Sequence, residues 1–291
     1  MNQLNFYKTH GNRTLVDSKT FNNFPQDVKS LTEIIRGVGM HPCHLNGLIL
    51  PSERINDRYL KTVQEVVKKI KILDDSDLIK NRNDENKIVI ICRHFAMLLT
   101  SILREQGVPA RCRCGFATYF SNGWFEDHWI CEYWNGVRWI RVDPQMDKLI
   151  TAKKQLNNID FNDMPSDIFF IGGVLWKLYR EGIISGEFCG FSHEESERGE
   201  WYIRDNMLRD YFSLNKIEYS YQETNYLMDR NYIPNKEELI LLDKIADLTI
   251  NINDNFNEFI QFCKNNKEIN IKEKELVLDK VINELKHNRR R

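Results

Sequence analysis

The most regular alternation of apolar and polar positions runs from Lys87 to Pro109. Lys87–Ile91 is a short apolar run. From Phe95 the period changes, and Phe95, Leu98, Leu99, Ile102 and Leu103 fall on one stripe at three- and four-residue spacing, the pattern of an amphipathic helix. Gly107 and then Pro109 stop it, as a helix C-terminus followed by proline should. The pattern predicts a helix of about four turns with Cys92 at its N-terminus.

Period two takes over next. In Ala110–Phe120, Cys112, Cys114 and Phe116 alternate with Arg111 and Arg113, which predicts a half-buried strand. Asp127–Trp134 and Val137–Asp143 are rich in aromatic and β-branched residues and flank Asn135-Gly136, a strong signal for a two-residue type I′ hairpin turn. Such a turn pairs Trp134 with Val137 and places His128 directly opposite Asp143 on one face. Paired β-carbons lie roughly 4.5–5.5 Å apart, within reach of an imidazole–carboxylate hydrogen bond.

Helical spacing dominates elsewhere. Gln26–Arg36 reads as a short helix stopped by Gly37 and Gly39. A longer one starts near Ser52, with Ile55, Tyr59, Val63, Val66, Val67 and Ile70 on its apolar face. Asp74–Asn86 is polar and reads as a loop. Beyond residue 150 the chain reads as mainly helical, with a connecting loop at Asn157–Ser166 and helices at Glu237–Ile250 and Glu273–His287. The division expected is 1–150, holding the α+β centre and a helical N-terminal part, and 151–291, a helical region.

Composition narrows the function classes. Hydrophobic content is 42%, aromatic content 11% and net charge −1, which fits a globular chain with no bulk attraction to nucleic acid or membranes. Met1–Lys8 lacks the apolar core of a secretory signal, and no run approaches membrane-span length. Seven dispersed cysteines, an odd count, read as reduced thiols in a cytoplasmic protein.

Cys92, His128 and Asp143 together change this picture. The positive end of the helix dipole favours thiolate over thiol at Cys92, and Arg93 and His94 are expected to add to that field. His128 is placed as base, and Asp143 as the carboxylate that orients it and stabilises its charged form. Attack on a carbonyl gives a tetrahedral oxyanion and then a thioester, which water or an amine resolves. The backbone N–H of Cys92 is the first oxyanion donor expected. His94, Trp124 and Gln145 are candidate side-chain donors or pocket residues.

These residues carry a resemblance. Cys92–Ala96, Gly107–Arg111, Gly115-Phe116, Asp127-His128-Trp129, Trp139 and Val142-Asp143-Pro144 are similar to the transglutaminase-like superfamily of papain-related cysteine enzymes. The resemblance implies an α+β core in which the cysteine-bearing helix packs on an antiparallel sheet. It also implies Cys92 as nucleophile, His128 as base and Asp143 as third member. A later stretch, with Gly172-Gly173, Trp201 and Arg209-Asp210, resembles the rest of a bacterial branch of that superfamily. The animal cross-linking members have Gly-Gln before the cysteine and Trp after it, where this chain has Ile91 and Arg93. No acidic loop of calcium-ligand spacing is present. Cross-linking and calcium dependence are therefore not carried over, and no cofactor is expected.

Other motifs compete less well. Cys112-x-Cys114 lacks the second ligand pair of a structural zinc site, so no metal is expected. His41-Pro42-Cys43-His44 reads as a loop, with the lining of a pocket as the alternative. Asn288–Arg291 reads as a solvated basic tail. One of Trp124, Trp129 and Trp134 is expected to border an acyl-binding cleft. Two classes of function remain. One is an enzyme performing cysteine-dependent acyl transfer or amide hydrolysis on a peptide or peptide-like acyl donor. The other is a catalytically silent fold serving as an interaction module. Substrate, acyl acceptor and oligomeric state are not legible in the sequence.

Overall fold

A computed structural model describes residues 2–45, 48–266 and Ile269. In chain order the elements are α1 (Gln3–Tyr7), α2 (Val28–Val38), β1 (Gly39–Met40), α3 (Val63–Leu73), β2 (Ile88–Val89), α4 (Cys92–Glu105), β3 (Ala110–Ala117), β4 (Phe125–Trp134) and β5 (Trp139–Val142). There follow α5 (Lys148–Lys153), β6 (Phe169–Ile171), α6 (Gly172–Arg180), β7 (Cys189–Gly190), α7 (Glu200–Leu214), α8 (Lys236–Ile250) and α9 (Phe256–Asn265). This is the α+β arrangement expected, with helices at both ends. The expected helix Glu273–His287 and the basic tail lie outside the described residues.

The main sheet has the order β5-β4-β3-β6, with β7 pairing β4. The pairs along that path are antiparallel, and β7 runs parallel to β4. Helix α4 packs on β3 and β4, burying Phe95, Leu98, Leu99, Ile102 and Leu103 in one core with Cys112, Cys114, Trp129 and Cys131. The predicted stop holds. Gly107 takes φ +74, its N–H donates to Arg104, and the Val108 N–H donates to Leu103, the double closure of a Schellman motif.

Three local expectations are corrected. The helix predicted from Ser52 is broken into a 3-10 segment, Ser52–Tyr59, and α3. The break is a capping box in which the Thr62 hydroxyl accepts from the Glu65 N–H while the Glu65 carboxylate accepts from Thr62; this local signal outweighs the continuous apolar stripe. The helix expected at Gln26–Arg36 is displaced to Val28–Val38 because Asp27 caps it, accepting from the Ser30 N–H at 2.8 Å. Third, the β4–β5 turn is not type I′. That turn needs positive φ at both central residues, and Gly136 has it (φ +100) whereas Asn135 does not. Instead the Asn135 side chain accepts from the N–H groups of Val137 and Arg138. The loop is therefore longer, and Trp134 pairs with Trp139.

β3 departs from the half-buried pattern, since all eight of its residues are buried. Arg111 and Arg113 are covered and paired with Glu132 at 2.8 and 3.0 Å. α7 supplies the cover. Its Ser213 hydroxyl donates to the Cys112 carbonyl (2.7 Å), its Asp210 carboxylate accepts from the Cys114 N–H (2.9 Å), and its Asn206 amide donates to the Gly115 carbonyl (3.0 Å). Side chains at helical spacing thus satisfy the backbone of a strand edge that β6 pairs only from Gly115 to Ala117. That edge would otherwise be left unpaired. α7 lacks a clear apolar stripe for the same reason: Tyr202–Leu214 is buried all round.

Candidate active site

The site is assembled where the sheet opens. β5 pairs with Cys131–Trp134 and β7 with Phe125 and Glu126, so among the described residues the intervening stretch of β4 has no ladder partner on that edge. His128 lies in this gap. The chain leaves β5 at Val142, and the Asp143 N–H turns to the Phe161 carbonyl (2.9 Å). His128 and Asp143 are therefore not a ladder pair. The register shift relative to the expected turn is two residues (139 − 137), and an even shift keeps side chains on the same face. The contact survives: His128 Nε2 lies 2.8 Å from Asp143 Oδ2.

Cys92 is the first residue of α4 and is 6% exposed. As a first-turn group its backbone N–H has no acceptor within the helix. Its thiol lies close enough to the His128 ring to favour the charged imidazole. With Nε2 committed to Asp143, the nitrogen left for sulfur is Nδ1. Burial opposes a charge on His128, but the Asp143 carboxylate and Cys92 outweigh it and raise the imidazole to about 10. Burial likewise works against ionised Asp143, yet the charge and hydrogen bond of His128, with those of Tyr119 and Gln145, hold the carboxyl below its ordinary range.

Around Asp143 the support is dense. The Tyr119 hydroxyl donates to Oδ2 at 2.6 Å, and the Gln145 N–H donates to Oδ1 at 2.9 Å. The Phe120 ring meets His128 edge-on at 4.9 Å. Cys92 and His128 line a cleft of about 770 Å³ with Gln145, Phe120, Tyr59 and Tyr221. Its far wall comes from outside the α4–β5 segment and includes Phe191 and His193. His41, Pro42 and Cys43 line it too, where a loop was the expectation and a 3-10 turn, Pro42–His44, is found.

Of the three candidate donor or pocket residues, only Gln145 lines this cleft. Its Oε1 is buried and has no hydrogen-bond partner among the described residues. His94 is committed elsewhere: Nε2 meets the Leu60 carbonyl at 2.7 Å and Nδ1 accepts from the Ile91 N–H at 3.4 Å. Burial and the adjacent Arg93 lower it to about 3, so it stays neutral and adds no positive field at Cys92. The Arg93 guanidinium meets the carbonyls of Leu60, Lys61 and Glu218. Trp124 donates to the Gly190 carbonyl (3.1 Å). No tryptophan borders the cleft among the described residues. Cys112 and Cys131 flank the Thr100 hydroxyl at 3.2 and 3.3 Å.

Sequence reasoning missed Tyr119, Asp127 and Tyr221. Tyr119 lies at the end of the expected strand and carries no motif. Tyr221 is distant in the chain, and nothing local marks it. Asp127 was signalled only by its place beside His128; burial lifts its carboxyl to about 6, against hydrogen bonds from Tyr221 and Asn206.

No curated protein and no solved structure matches this chain. Among the described residues no helix is long and apolar enough to cross a membrane. The transglutaminase-like superfamily matches residues 58–144, a span that contains Cys92 and His128 and closes on the residue after Asp143. Residues 58–144 of this chain are a transglutaminase-like superfamily domain.

Proposed function

We propose that the protein catalyses cysteine-dependent acyl transfer or amide hydrolysis through a thioester on Cys92. The observation that carries this reading is the convergence of three groups: Asp143 lies 2.8 Å from His128, and His128 and Cys92 line the same cleft of about 770 Å³. Cys92 attacks the carbonyl carbon of a peptide or peptide-like amide or thioester. His128 gives a proton to the leaving group, and Asp143 keeps the ring oriented throughout. The Cys92 N–H, and the Nε2 amide of Gln145, which lines the cleft, donate to the oxyanion. Water or an amine then releases the acyl group with His128 as base.

The other six cysteines provide a built-in control, because burial raises the pKa of Cys112, Cys114, Cys131, Cys189 and Cys263, and the exposed Cys43 is raised by partial desolvation and by Glu126 and Cys92 nearby. Near neutral pH, Cys92 is expected to react with iodoacetamide at least about tenfold faster than any of them, and His128→Ala should slow it. Intact-mass screening against acyl donors should find an adduct on Cys92 that Cys92→Ala abolishes while circular dichroism stays unchanged. Equal, slow labelling of all seven thiols, or undiminished turnover in Cys92→Ala, would end the covalent mechanism and leave the interaction-module reading.

A further inference from the structure

Three consecutive residues of β4 point to different tasks. His128 turns to Asp143. Its neighbours turn the other way, as alternate residues of a strand do, and both reach Tyr221 from the C-terminal part of the chain. The Tyr221 hydroxyl donates to Asp127 Oδ2 at 2.6 Å and accepts from Trp129 Nε1 at 2.9 Å. The other Asp127 oxygen accepts from Asn206 of α7 at 2.6 Å. Arg209 lies 4.9 Å from the centre of the Tyr221 ring and donates to the Ser220 carbonyl. Glu223 closes the same turn by accepting the Ser220 N–H and hydroxyl, both at 2.9 Å.

Asp127 is 4% exposed, and a carboxylate so placed is costly unless hydrogen-bonded. Both of its oxygens go to Tyr221 and Asn206, and neither to His128. The hydrogen bonds therefore tie it to the cleft wall and not to the Cys92–His128–Asp143 chain. Tyr221 and Gln222 line the cleft alongside Cys92.

We propose that Asp127 is a positioning residue: by holding Tyr221 it fixes the Tyr221-Gln222 wall, and this wall, supplied from outside residues 58–144, selects which acyl group reaches Cys92. The inference rests on Cys92 being the nucleophile, and it assigns the C-terminal region a share in specificity. The two adjacent residues 127 and 128 would then set the wall and the base from one strand, so that the two cannot drift independently.

The test compares wild type with Asp127→Ala, Tyr221→Phe and the double variant, each checked for fold by near-ultraviolet circular dichroism. Two probes are used. Iodoacetamide needs a reactive thiol and no wall. A panel of N-capped dipeptide chloroacetamides, differing only in side chains, needs the wall as well. Wild type is expected to discriminate across the panel. Each single variant should compress that spread by about tenfold while iodoacetamide labelling of Cys92 stays within about twofold, and the double variant should match the singles because all remove one coupled contact. No discrimination by wild type, an undiminished spread in the variants, or additive losses in the double variant would overturn the proposal. A parallel fall in the iodoacetamide rate would overturn it too, by placing Asp127 in the thiol's own chemistry. Indifference of Cys92 to iodoacetamide in wild type would instead count against the covalent reading beneath it.

Discussion

His128 holds the most consequential charge in the site. Its folded pKa, about 10, lies above the value of about 6.5 expected in an unfolded chain. A raised basic group stabilises fully below its unfolded value and loses that contribution as pH rises through the folded one. Asp143 has the opposite sign, since a lowered carboxyl stabilises above its unfolded value and loses the contribution as pH falls through the folded one. Between those limits the imidazolium–carboxylate pair is intact. Thermal melts from about pH 6 to about pH 10.5 should therefore show wild type losing more stability than His128→Gln; equal losses would mean that His128 does not carry the raised pKa. Tyr119 offers a second check. Its hydroxyl donates to the same Asp143 oxygen that meets His128. Tyr119→Phe removes one charge-assisted hydrogen bond and should slow Cys92 alkylation by about tenfold with the fold kept. An unchanged rate would reduce Tyr119 to packing.

The pairing of β3 with α7 turns two arginines that look solvent-facing in the sequence into buried ones. Asp210 bonds the Arg113 guanidinium at 2.9 and 2.8 Å and takes the Cys114 N–H as well. Glu132 meets Arg111, Arg113 and Arg141, and although burial opposes its charge, those guanidiniums hold its carboxyl far below the ordinary range. Asp210→Ala would leave Arg113 short of a counter-charge and should cost about 3–5 kcal/mol in urea unfolding. Ser213→Ala, which gives up a single neutral hydrogen bond to Cys112, should cost about 1 kcal/mol. Similar costs for both would mean the buried charge is not what makes α7 indispensable. β6 is seated as closely: a β-carbon on Gly115 would lie 2.2 Å from the Phe170 carbonyl oxygen, so glycine is required there by the neighbouring strand.

Among the described residues, two large cores meet at the sheet, and a smaller third gathers Tyr119, Ile130, Phe161 and Phe169. Of the large two, one gathers α2, α3 and α4 against β3 and β4; the other gathers α6, α7, α8 and α9. The cleft draws its walls from both sides, with Cys92 and His128 from one and Phe191, His193 and Tyr221 from the C-terminal part. A chain shortened to end at Ile184 would bare the β3 edge and leave Arg113 without Asp210. It should lack a cooperative urea transition and lose selective labelling of Cys92. A cooperative transition with Cys92 still selectively labelled would show that the α4–β5 region is self-sufficient.

Helix α4, its stop at Gly107, the strand character of β3 and β4 and the order of Cys92, His128 and Asp143 could all be read in advance. Each depends on neighbours within a few residues, through periodicity, capping and turn chemistry. Even the wrong turn at Asn135 spared the His128–Asp143 contact, because side-chain direction in a strand depends only on whether a shift is odd or even. The commitment of His94 to Leu60, the burial of Arg111 and Arg113, and the contact of Tyr221 with Asp127 were decided by packing between distant segments. Local pattern records how a residue suits its own element. It does not record which remote surface will cover that element, and here that surface supplies the far wall of the cleft.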